Sequence, residues 1–599
     1  MSDVLAPPAS SSDHIQVSNR LEHATAAFSY LVIAGGLITI VAAIYLSFAA
    51  HLIGPYWDMW GEISFVAHPT GSVLHWLWAQ HNEHRILLPK LVMMIDYHLF
   101  RGRDIFSLAL SFATQFVGIA LLLWVFRVWG GMRGPSLRTL AGLAALCFFS
   151  TSQWENFVSG FQITFTFVGV FFMLAIIALL LSRQQPAQFE GGREWGYVVA
   201  AVLAGVASTY SAANGVLVWP VLVTVAIAQH SRKRVIAFIS SFAVVTLFSY
   251  LYHYVSPPQH ANPLVSIRHP LLMLLYMSKY VGSPLNWGHP LLATVVGATG
   301  LFAAVLAIAV IFFRPAKRSI SMLMGSLLLF VLGSAFLTAL GRLSFGTDQA
   351  FSGRYETFSL LLWLALGALV LKLAAQRSTS ATIALQIVIL LIMSLASLRL
   401  PHPLAEARQR AVNSNAATIA LITGVYDKPV LQMVYPVADV PWQGAHNMKQ
   451  QGTSMFATRL AADLNQPLQS RFSVRSQPCW GGVDQVLRVP TEGRDGLRVS
   501  GWAWDSVHRR RVGRIIFVAD GKIIGYAERG FIRPFIHMRL ASRTANDTGW
   551  LGYVEPLVAP PSVEVYATIG WSGREVCRVD KFMRNANGPL QFSDNGVAK

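Results

Sequence analysis

Charged residues are scarce in this sequence. Asp, Glu, Lys and Arg together make up 13% of the 599 residues, whereas hydrophobic residues make up 54%. A chain of this length and composition is too apolar to form a single soluble core. Apolar windows of about 17–25 residues recur between short basic turns, which is typical of membrane-spanning helices. The sequence therefore predicts an α-helical polytopic membrane protein.

Several common sequence features are also lacking. There is no Gly-rich phosphate loop, no Walker-type motif, no internal repeat and no low-complexity tract. The net charge of +18 would favour nucleic acid as the partner of a soluble protein, but here much of it lies in short loops between apolar runs. Charge in such loops orients membrane helices, so we expect membrane lipids as partners and no nucleic acid. We also expect no cleavable signal peptide, because residues 1–20 are polar and the first apolar run is long enough to span.

Cysteine is rare, with three residues in the chain. Cys147 lies inside an apolar run, where it would act as a small packing residue. Cys479 and Cys577 both lie in the C-terminal region, which we expect to be extracytoplasmic. Two cysteines in such a domain favour a disulfide, although the pairing depends on geometry that a sequence does not give.

About eleven apolar runs are candidate membrane spans. They cover residues 25–53, 104–128, 137–152, 161–182, 196–213, 215–230, 235–255, 290–313, 320–341, 355–373 and 380–398. The loops on one side of the membrane carry Arg127, Arg133 and Arg138; Arg183 and Arg193; Arg232, Lys233 and Arg234; Arg314, Lys317 and Arg318; and Lys372 and Arg377. By the positive-inside bias these loops are cytoplasmic, so the N-terminus is cytoplasmic and the C-terminal region lies on the outer side of the membrane.

The apolar pattern ends near residue 398. We divide the chain into a cytoplasmic N-terminal segment (1–24), a transmembrane domain (25–398), a mixed extracytoplasmic connecting region (399–470) and a β-sandwich domain (471–599). The connecting region has helix candidates at 405–422 and 454–464. Beyond residue 471 apolar and polar residues alternate with a period of two in the runs 497–504, 514–519, 522–527, 552–555, 562–568 and 575–579. Asp520-Gly521 between two of these runs predicts a two-residue hairpin, and the whole pattern predicts a β-sandwich.

A polar loop at residues 54–103 separates the first two long apolar runs. If its first part is helical, Asp58 and Glu62 lie one turn apart on the same face, as do His81 and Arg85. Carboxylates beside cations at a membrane surface predict an acid/base site. The alternative is an interfacial belt in which aromatic rings lie at headgroup level, formed by Trp57, Trp60, Trp76 and Trp78.

Basic residues also occur in the loops that we expect outside, against the orientation bias. Arg342 and Arg354 flank the last of these loops, and Lys279 lies in the long loop 256–289. An anionic ligand at the outer leaflet would account for them, because arginine offers a planar fork for phosphate. The alternative is contact with lipid headgroups, or snorkelling of long side chains at helix ends.

Taken together, the acidic first loop (Tyr56-Trp57-Asp58), the many spans and the arginines of the last outer loops resemble the GT-C superfamily of polytopic glycosyltransferases. Within it, four segments look like a bacterial subgroup: 80–85 (Gln-His-Asn-Glu-His-Arg), 153–162, 214–220 and 352–355 (Ser-Gly-Arg-Tyr). The resemblance covers about residues 25–470. Residues 501–505 (Gly-Trp-Ala-Trp-Asp) resemble a module appended to carbohydrate-active proteins. Some GT-C members have two adjacent acids in the first loop, whereas Asp58 and Glu62 are one turn apart.

The resemblance implies an inverting glycosyltransferase that takes its sugar from a polyprenyl-phosphate donor and transfers it, on the outer face, to a surface glycan or lipid acceptor. Asp58 would be the general base, with Glu62 in reserve. The donor phosphate would be bound by Arg342, Arg354, Arg85, Lys279 and Tyr355. Positioning of the acceptor would fall to His81, His84, Glu83, Glu155 and Asn214.

Two further questions stay open at this level. We expect no cofactor, but His81 and His84 could join Asp58 or Glu62 around a divalent metal ion. The rival functions are a transporter or flippase of lipid-linked glycans, and a polymerase or ligase of surface polysaccharides that uses diphosphate-linked donors. A transporter would need ionisable residues at mid-bilayer, and the predicted spans are nearly free of them.

Overall fold

A computed structural model describes residues 11–183, 192–257, 263–313, 319–491, 494–533, 536–540, 545–556, 562–570, 573–583 and 591–592. The basic loop residues Arg314, Lys317 and Arg318 lie outside this set. The chain divides into two compact units. The first unit comprises Met1–Phe48, Leu74–Leu91 and Leu108–Leu404, and the second comprises Ala49–Val73, Val92–Ser107 and Ala405–Lys599.

Helices dominate the chain up to residue 471. The first of them are α1 (Ser11–Ala49), α2 (Met59–Ala67), α3 (Val73–Trp78), α4 (Leu87–Phe100), α5 (Ile105–Val128), α6 (Gly134–Phe148), α7 (Glu155–Val158), α8 (Ile163–Ser182), α9 (Gly192–Thr209), α10 (Val218–Ala228), α11 (Lys233–Leu251) and α12 (Pro263–Ile267). The others are α13 (Pro270–Gly282), α14 (Pro290–Phe313), α15 (Ser319–Arg342), α16 (Glu356–Arg377), α17 (Thr379–Arg399), α18 (Pro401–Ile422), α19 (Lys428–Leu431), α20 (Asp439–Gln451), α21 (Arg459–Asp463), α22 (Leu468–Arg471) and α23 (Ile536–Leu540).

Eight helical segments of the described residues are long and apolar enough to cross a membrane. They are Asn19–Ala49, Ile105–Val128, Gly160–Ser182, Lys233–Leu251, Pro290–Phe313, Ser319–Phe345, Gly353–Arg377 and Thr379–Ile422. The three other predicted spans correspond to α6, α9 and α10, which have 15, 18 and 11 residues. The membrane character of the chain is therefore clear, whereas the count of eleven spans and their orientation stay predictions.

Small residues and one buried amide hold helices of the first unit together. A side chain at Gly142 of α6 would overlap Val32 of α1, so the two helices approach backbone to backbone. Gln386 of α17 is fully buried and donates to the Thr25 carbonyl at 3.1 Å and to the Thr139 hydroxyl at 2.8 Å. One side chain thus ties α17 to both α1 and α6.

The second unit contains a β-sheet whose described strands all belong to one hydrogen-bonded sheet. They are β1 (Ser473–Arg475), β2 (Trp480–Thr491), β3 (Arg494–Asp505), β4 (Arg510–Arg511), β5 (Ile515–Ala519), β6 (Lys522–Phe531), β7 (Gly549–Val554), β8 (Ser562–Ile569), β9 (Glu575–Met583) and β10 (Gln591–Phe592). Their order is β1-β9-β8-β5-β6-β7-β3-β2, with β10 beside β9 and β4 beside β3. Neighbours are antiparallel except β1 and β9.

The predicted two-layer sandwich is not confirmed, because the sheet is continuous and curls on itself. The Cys479 N–H, just before β2, donates to the Arg578 carbonyl of β9 at 2.9 Å. A disulfide joins Cys479 to Cys577, whose Cα atoms are 5.5 Å apart. Both cysteines belong to the apolar core that the sheet encloses. Period-two alternation predicts one buried face, but it does not determine how strands divide into sheets.

The first part of the polar loop belongs to the second unit and not to the apolar helices. The Ile53 N–H donates to Asn415 Oδ1 of α18 at 2.9 Å, and Asn415 Nδ2 donates to the His51 carbonyl at 3.2 Å. Helix α2 then packs against α20, where a side chain at Gly444 would overlap Ser64. These contacts with residues more than 350 positions away fix the loop that carries Asp58 and Glu62.

Candidate functional site

The last predicted outer loop connects α15 to α16 in the first unit. It consists of three 3-10 turns, Leu343–Phe345, Thr347–Phe351 and Gly353–Tyr355. Arg342 is the last residue of α15, and Arg354 lies one residue before the N-cap of α16. The loop therefore places both arginines at the same end of two apolar helices.

A tight turn brings a carboxylate to this end. His81 and His84 exchange two backbone hydrogen bonds of 2.7 and 2.8 Å, and Asn82 between them has the left-handed φ of 48°. Glu83 follows, and its carboxylate forms an ion pair with the Arg342 guanidinium. Asn tolerates the left-handed conformation better than most residues do, which accounts for its place in the turn.

The His84 ring links this turn to the loop after α9. The Ala213 N–H donates to His84 Nδ1 at 3.0 Å. Because a backbone N–H only donates, Nδ1 is the acceptor and the ring proton of the neutral imidazole lies on Nε2. Nε2 is 3.5 Å from Glu83 Oε1, so the carboxylate faces both His84 and Arg342. Asn214, the next residue, is half-buried.

Lys279 of α13 contacts the same α15–α16 loop. Its Nζ donates to Asp348 Oδ1 at 2.6 Å and to the Thr347 hydroxyl at 2.8 Å. One turn earlier, the Tyr276 hydroxyl donates to Gln349 Oε1 at 2.7 Å. Gln349 in turn donates to the Tyr355 hydroxyl at 3.4 Å. Two residues of α13 thus anchor the loop that carries the arginines.

Arg354 is held beside the aromatic rings of this end. Its guanidinium carbon lies 5.6 Å from the Tyr355 ring, and its Nε donates to the Ser352 hydroxyl at 3.2 Å. The Arg354 carbonyl accepts from Asn156 Nδ2 at 3.3 Å, and a side chain at Gly353 would lie 3.7 Å from Glu155 Oε1. The segment 153–156 therefore packs against the residues around Arg354.

The charges at this end of the helices act on two nearby tyrosines. Burial raises the pKa of Tyr276, and Tyr355 raises it further, whereas the nearby charges of Arg342 and Arg354 lower it. Burial and Glu83 likewise raise the pKa of Tyr254, while Arg342 lowers it. The first unit thus brings together Glu83, His84, Lys279, Arg342, Arg354 and Tyr355 at one end of its helices.

Arg85 has a different environment from the other predicted phosphate ligands. It is 4% exposed, and its guanidinium donates to the carbonyls of Tyr250 at 2.6 Å, Trp78 at 2.5 Å and Tyr252. The first two carbonyls lie at the C-terminal ends of α11 and α3, where helical carbonyls lack partners. Arg85 therefore holds two helix ends together, and we leave it out of the phosphate-binding set.

The predicted base lies in the second unit. Asp58 is the N-cap residue of α2, and the preceding Trp57 has a left-handed φ of 47° while its N–H donates to the Val434 carbonyl at 2.9 Å. Glu62 is 6% exposed. Burial raises the pKa of Tyr435, and the charges of Asp58 and Glu62 raise it further, so both carboxylates lie near this hydroxyl.

Sequence reasoning missed three residues that contact this group of charged side chains in the first unit: Tyr276, Asp348 and Gln349. The spacing of Tyr276 and Lys279 on α13 places them on one helix face and was a usable signal.

The ring of His81, a predicted positioning residue and possible metal ligand, packs 5.2 Å from the Phe161 ring. Among the described residues, no group of three or more His, Cys, Asp or Glu side chains could hold a metal ion.

No protein-family model matches the chain, and no curated protein matches it significantly. The chain is similar to the crystal structure of apo ArnT from Cupriavidus metallidurans. The similar region covers 74% of this chain and 81% of the ArnT chain, with 17% sequence identity and a TM-score of 0.37. The chain is also similar to the crystal structure of the same ArnT bound to undecaprenyl phosphate. Here the similar region covers 76% of this chain and 83% of the ArnT chain, with 18% sequence identity and a TM-score of 0.35.

Proposed function

We propose that the chain is a membrane glycosyltransferase that transfers a sugar from a polyprenyl-phosphate donor to a surface glycan or lipid acceptor. Transfer would occur at the periplasmic face of a bacterial inner membrane. The observation that carries the proposal is the convergence of Arg342, Arg354 and Lys279 with Tyr276 and Tyr355 at one end of the apolar helices. A lipid-borne phosphate emerges from the bilayer at such an end, where fixed cations can bind it.

The chemistry uses these cations at the leaving group. The acceptor hydroxyl oxygen attacks the anomeric carbon while the bond from that carbon to the phosphate oxygen breaks. The bonding electron pair stays on the phosphate, so its negative charge grows in the transition state. Guanidinium groups that are already in position stabilise this charge more strongly at a low-dielectric boundary than they would in water. A single displacement of this kind inverts the anomeric centre.

A base must accept the proton of the attacking hydroxyl. Asp58 stays our prediction for this role, with Glu62 in reserve. Positioned general bases contribute about 10²- to 10⁴-fold to a rate. The acceptor would be oriented by polar groups such as Asn214 and Glu155, and His81 adds an imidazole to the same end of the first unit. We derive no step through a metal.

The proposal is tested by phosphate binding. In lipid nanodiscs, Arg342→Gln and Arg354→Gln should each weaken the binding of undecaprenyl phosphate by about tenfold or more, because each removes a charge-assisted contact. Arg377→Gln is the matched control, since Arg377 is exposed at the other end of α16, about 30 Å away by helical rise. Native mass spectrometry measures the lipid bound.

Two outcomes would redirect the proposal. If the wild type binds no polyprenyl phosphate, or the three variants behave alike, the donor site is wrong. If undecaprenyl diphosphate binds strongly and the monophosphate does not, a polysaccharide polymerase or ligase is the better description. Mass spectrometry of cell-surface glycans with and without the chain then identifies the product.

A further inference from the structure

One cation of the proposed donor site already has an anionic partner within the protein. Glu83 pairs with Arg342, and the side chains of the two residues are only 20% and 21% exposed. A partly shielded pair is weakened less by water and salt than a surface pair is. A donor phosphate that binds Arg342 must therefore compete with the Glu83 carboxylate.

The second ion pair of the site is different. Lys279 pairs with Asp348, but the Asp348 side chain is 85% exposed. Water solvates such a carboxylate well, so this pair contributes little. Glu83 is thus the stronger internal competitor for phosphate.

Glu83 also has a second partner, His84, which can bind its carboxylate when the ion pair with Arg342 is broken. His84 Nε2 lies 3.5 Å from Glu83 Oε1, and the bond from the Ala213 N–H to Nδ1 keeps the ring proton on Nε2. The imidazole can therefore donate to the carboxylate. Two alternative partners make Glu83 suited to exchange between them.

The charges of donor and product give this competition a function. A polyprenyl-phosphate sugar is a phosphodiester with one negative charge. After the sugar leaves, the lipid carries a phosphate monoester, which has a second pKa of about 6 and hence a charge of about −1.5 to −2 at pH 7. A cationic clamp then binds the product more tightly than the donor, which favours product inhibition.

We propose that Glu83 is a positioning residue that competes with the product phosphate for Arg342 and so speeds product release. The inference rests on the proposed function, because it requires the donor site at Arg342. It assigns Glu83 to the leaving-group side of the reaction and not to the acceptor. Glu83 acts only through Arg342 and accepts no proton from the substrate.

Binding of undecaprenyl phosphate to the full chain in nanodiscs is the first test. Glu83→Gln keeps the shape but removes the competing charge, so the affinity should rise about three- to tenfold. In an Arg342→Gln background the same substitution should have no effect, because the competition is gone. Glu194→Gln is the matched control: this buried Glu pairs with Arg232 at 3.0 Å, at the end of α9 remote from Ala213.

Turnover is the second test. Glu83→Gln should lower both kcat and the KM for the donor, because release of the product lipid phosphate then limits the rate. Added undecaprenyl phosphate should inhibit this variant more strongly than the wild type. Glu83→Asp keeps the charge and should restore most of the wild-type behaviour. A purely structural role would reduce thermal stability and affinity together and would not produce tighter product binding.

The outcomes separate the two proposals. If the wild type binds the phosphate through Arg342 but Glu83→Gln binds no more tightly, the inference about Glu83 fails and the proposed function stands. Tighter binding that persists without Arg342 also refutes it. If the wild type binds no polyprenyl phosphate, both proposals fall.

Discussion

Arg85 donates from its Nε to the carbonyl of Tyr250 at 2.6 Å. The Arg85 backbone N–H also donates, to the Tyr250 hydroxyl at 3.1 Å, so Tyr250 accepts from Arg85 through both its main chain and its side chain. An arginine that looks like a phosphate ligand in the sequence is therefore a link between the polar loop and the end of α11.

This arrangement predicts that Arg85 contributes to stability. Arg85→Gln leaves buried carbonyls without a charged donor and should cost about 2–4 kcal/mol of unfolding free energy. A clear drop in the thermal unfolding temperature in detergent, larger than the drop for Arg377→Gln, is the expected result. An unchanged unfolding temperature with reduced binding of undecaprenyl phosphate would return Arg85 to the phosphate-binding set.

Asp58 tests the predicted base. Asp58→Asn keeps the shape and hydrogen bonding of the side chain but removes the proton acceptor, so transfer should fall at least 10²-fold, at the low end of what a general base contributes. Binding of the donor lipid should persist, because the residues that we propose to bind its phosphate lie elsewhere in the chain. Sugar transfer is measured with purified protein and polyprenyl-phosphate sugar.

Glu62→Gln is the companion variant. If it abolishes transfer while Asp58→Asn stays active, the two carboxylates exchange roles. If both variants stay active, the first loop has no catalytic role and the interfacial belt is the correct interpretation.

The Cys479–Cys577 disulfide links residues that are 98 positions apart in sequence. Closing a loop of this length should stabilise the sheet by about 4–5 kcal/mol in the chain-entropy model. We expect Cys479→Ser/Cys577→Ser to speed hydrogen exchange in β2 and β9 strongly, while Cys147→Ala leaves these strands protected. Alkylation of the intact protein without reduction should label neither Cys479 nor Cys577.

The environment of Asp505 predicts that the stability of the β-sheet falls at acidic pH. Burial by itself raises the pKa of Asp505, but hydrogen bonds from His508 and the charge of Arg475 outweigh it and lower the pKa below its usual value. The stabilisation from the ionised carboxylate is then complete above about pH 4 and is lost as the pH falls below that value.

The Asp505→Asn variant should lose about 3 kcal/mol at pH 7, as expected when one partner of a buried pair is removed. The difference from wild type should begin to shrink below about pH 4, the usual pKa of an Asp in an unfolded chain, and should vanish only below the lowered pKa of Asp505, where the folded wild-type carboxyl is protonated. Asp520→Asn, in the exposed hairpin turn, is the control. Hydrogen exchange of β3 across pH 3–7 measures the effect, and a difference independent of pH would contradict the assignment.

The orientation of the helices is tested by reporter fusions. A fusion after Arg234 should report the cytoplasm, because three basic residues mark the start of α11: Arg232 at its N-cap, then Lys233 and Arg234 in its first turn. A fusion to the C-terminus, outside the described residues, should report the periplasm. A cytoplasmic C-terminus would place the proposed site on the wrong leaflet and refute it.

Local patterns determined much of this protein. Long apolar runs predict helices because each must satisfy its own backbone hydrogen bonds in lipid, and eight such helices are found among the described residues. The Asp520-Gly521 turn follows from local chemistry as well. Both residues have left-handed φ values, 48° and 73°, which Asp and Gly adopt more readily than other residues, and Ala519 pairs with Lys522 across the turn.

Only the tertiary structure decided which charged residues face one another. Arg342 and Glu83 are 259 positions apart, and Arg85 and Tyr250 are 165 apart, so no periodicity relates them. The sequence does not distinguish an arginine that binds carbonyls from one that pairs with a carboxylate, because the partner of each lies far away along the chain. Packing of distant helix ends fixes the partner of each guanidinium, and that partner determines what the residue does.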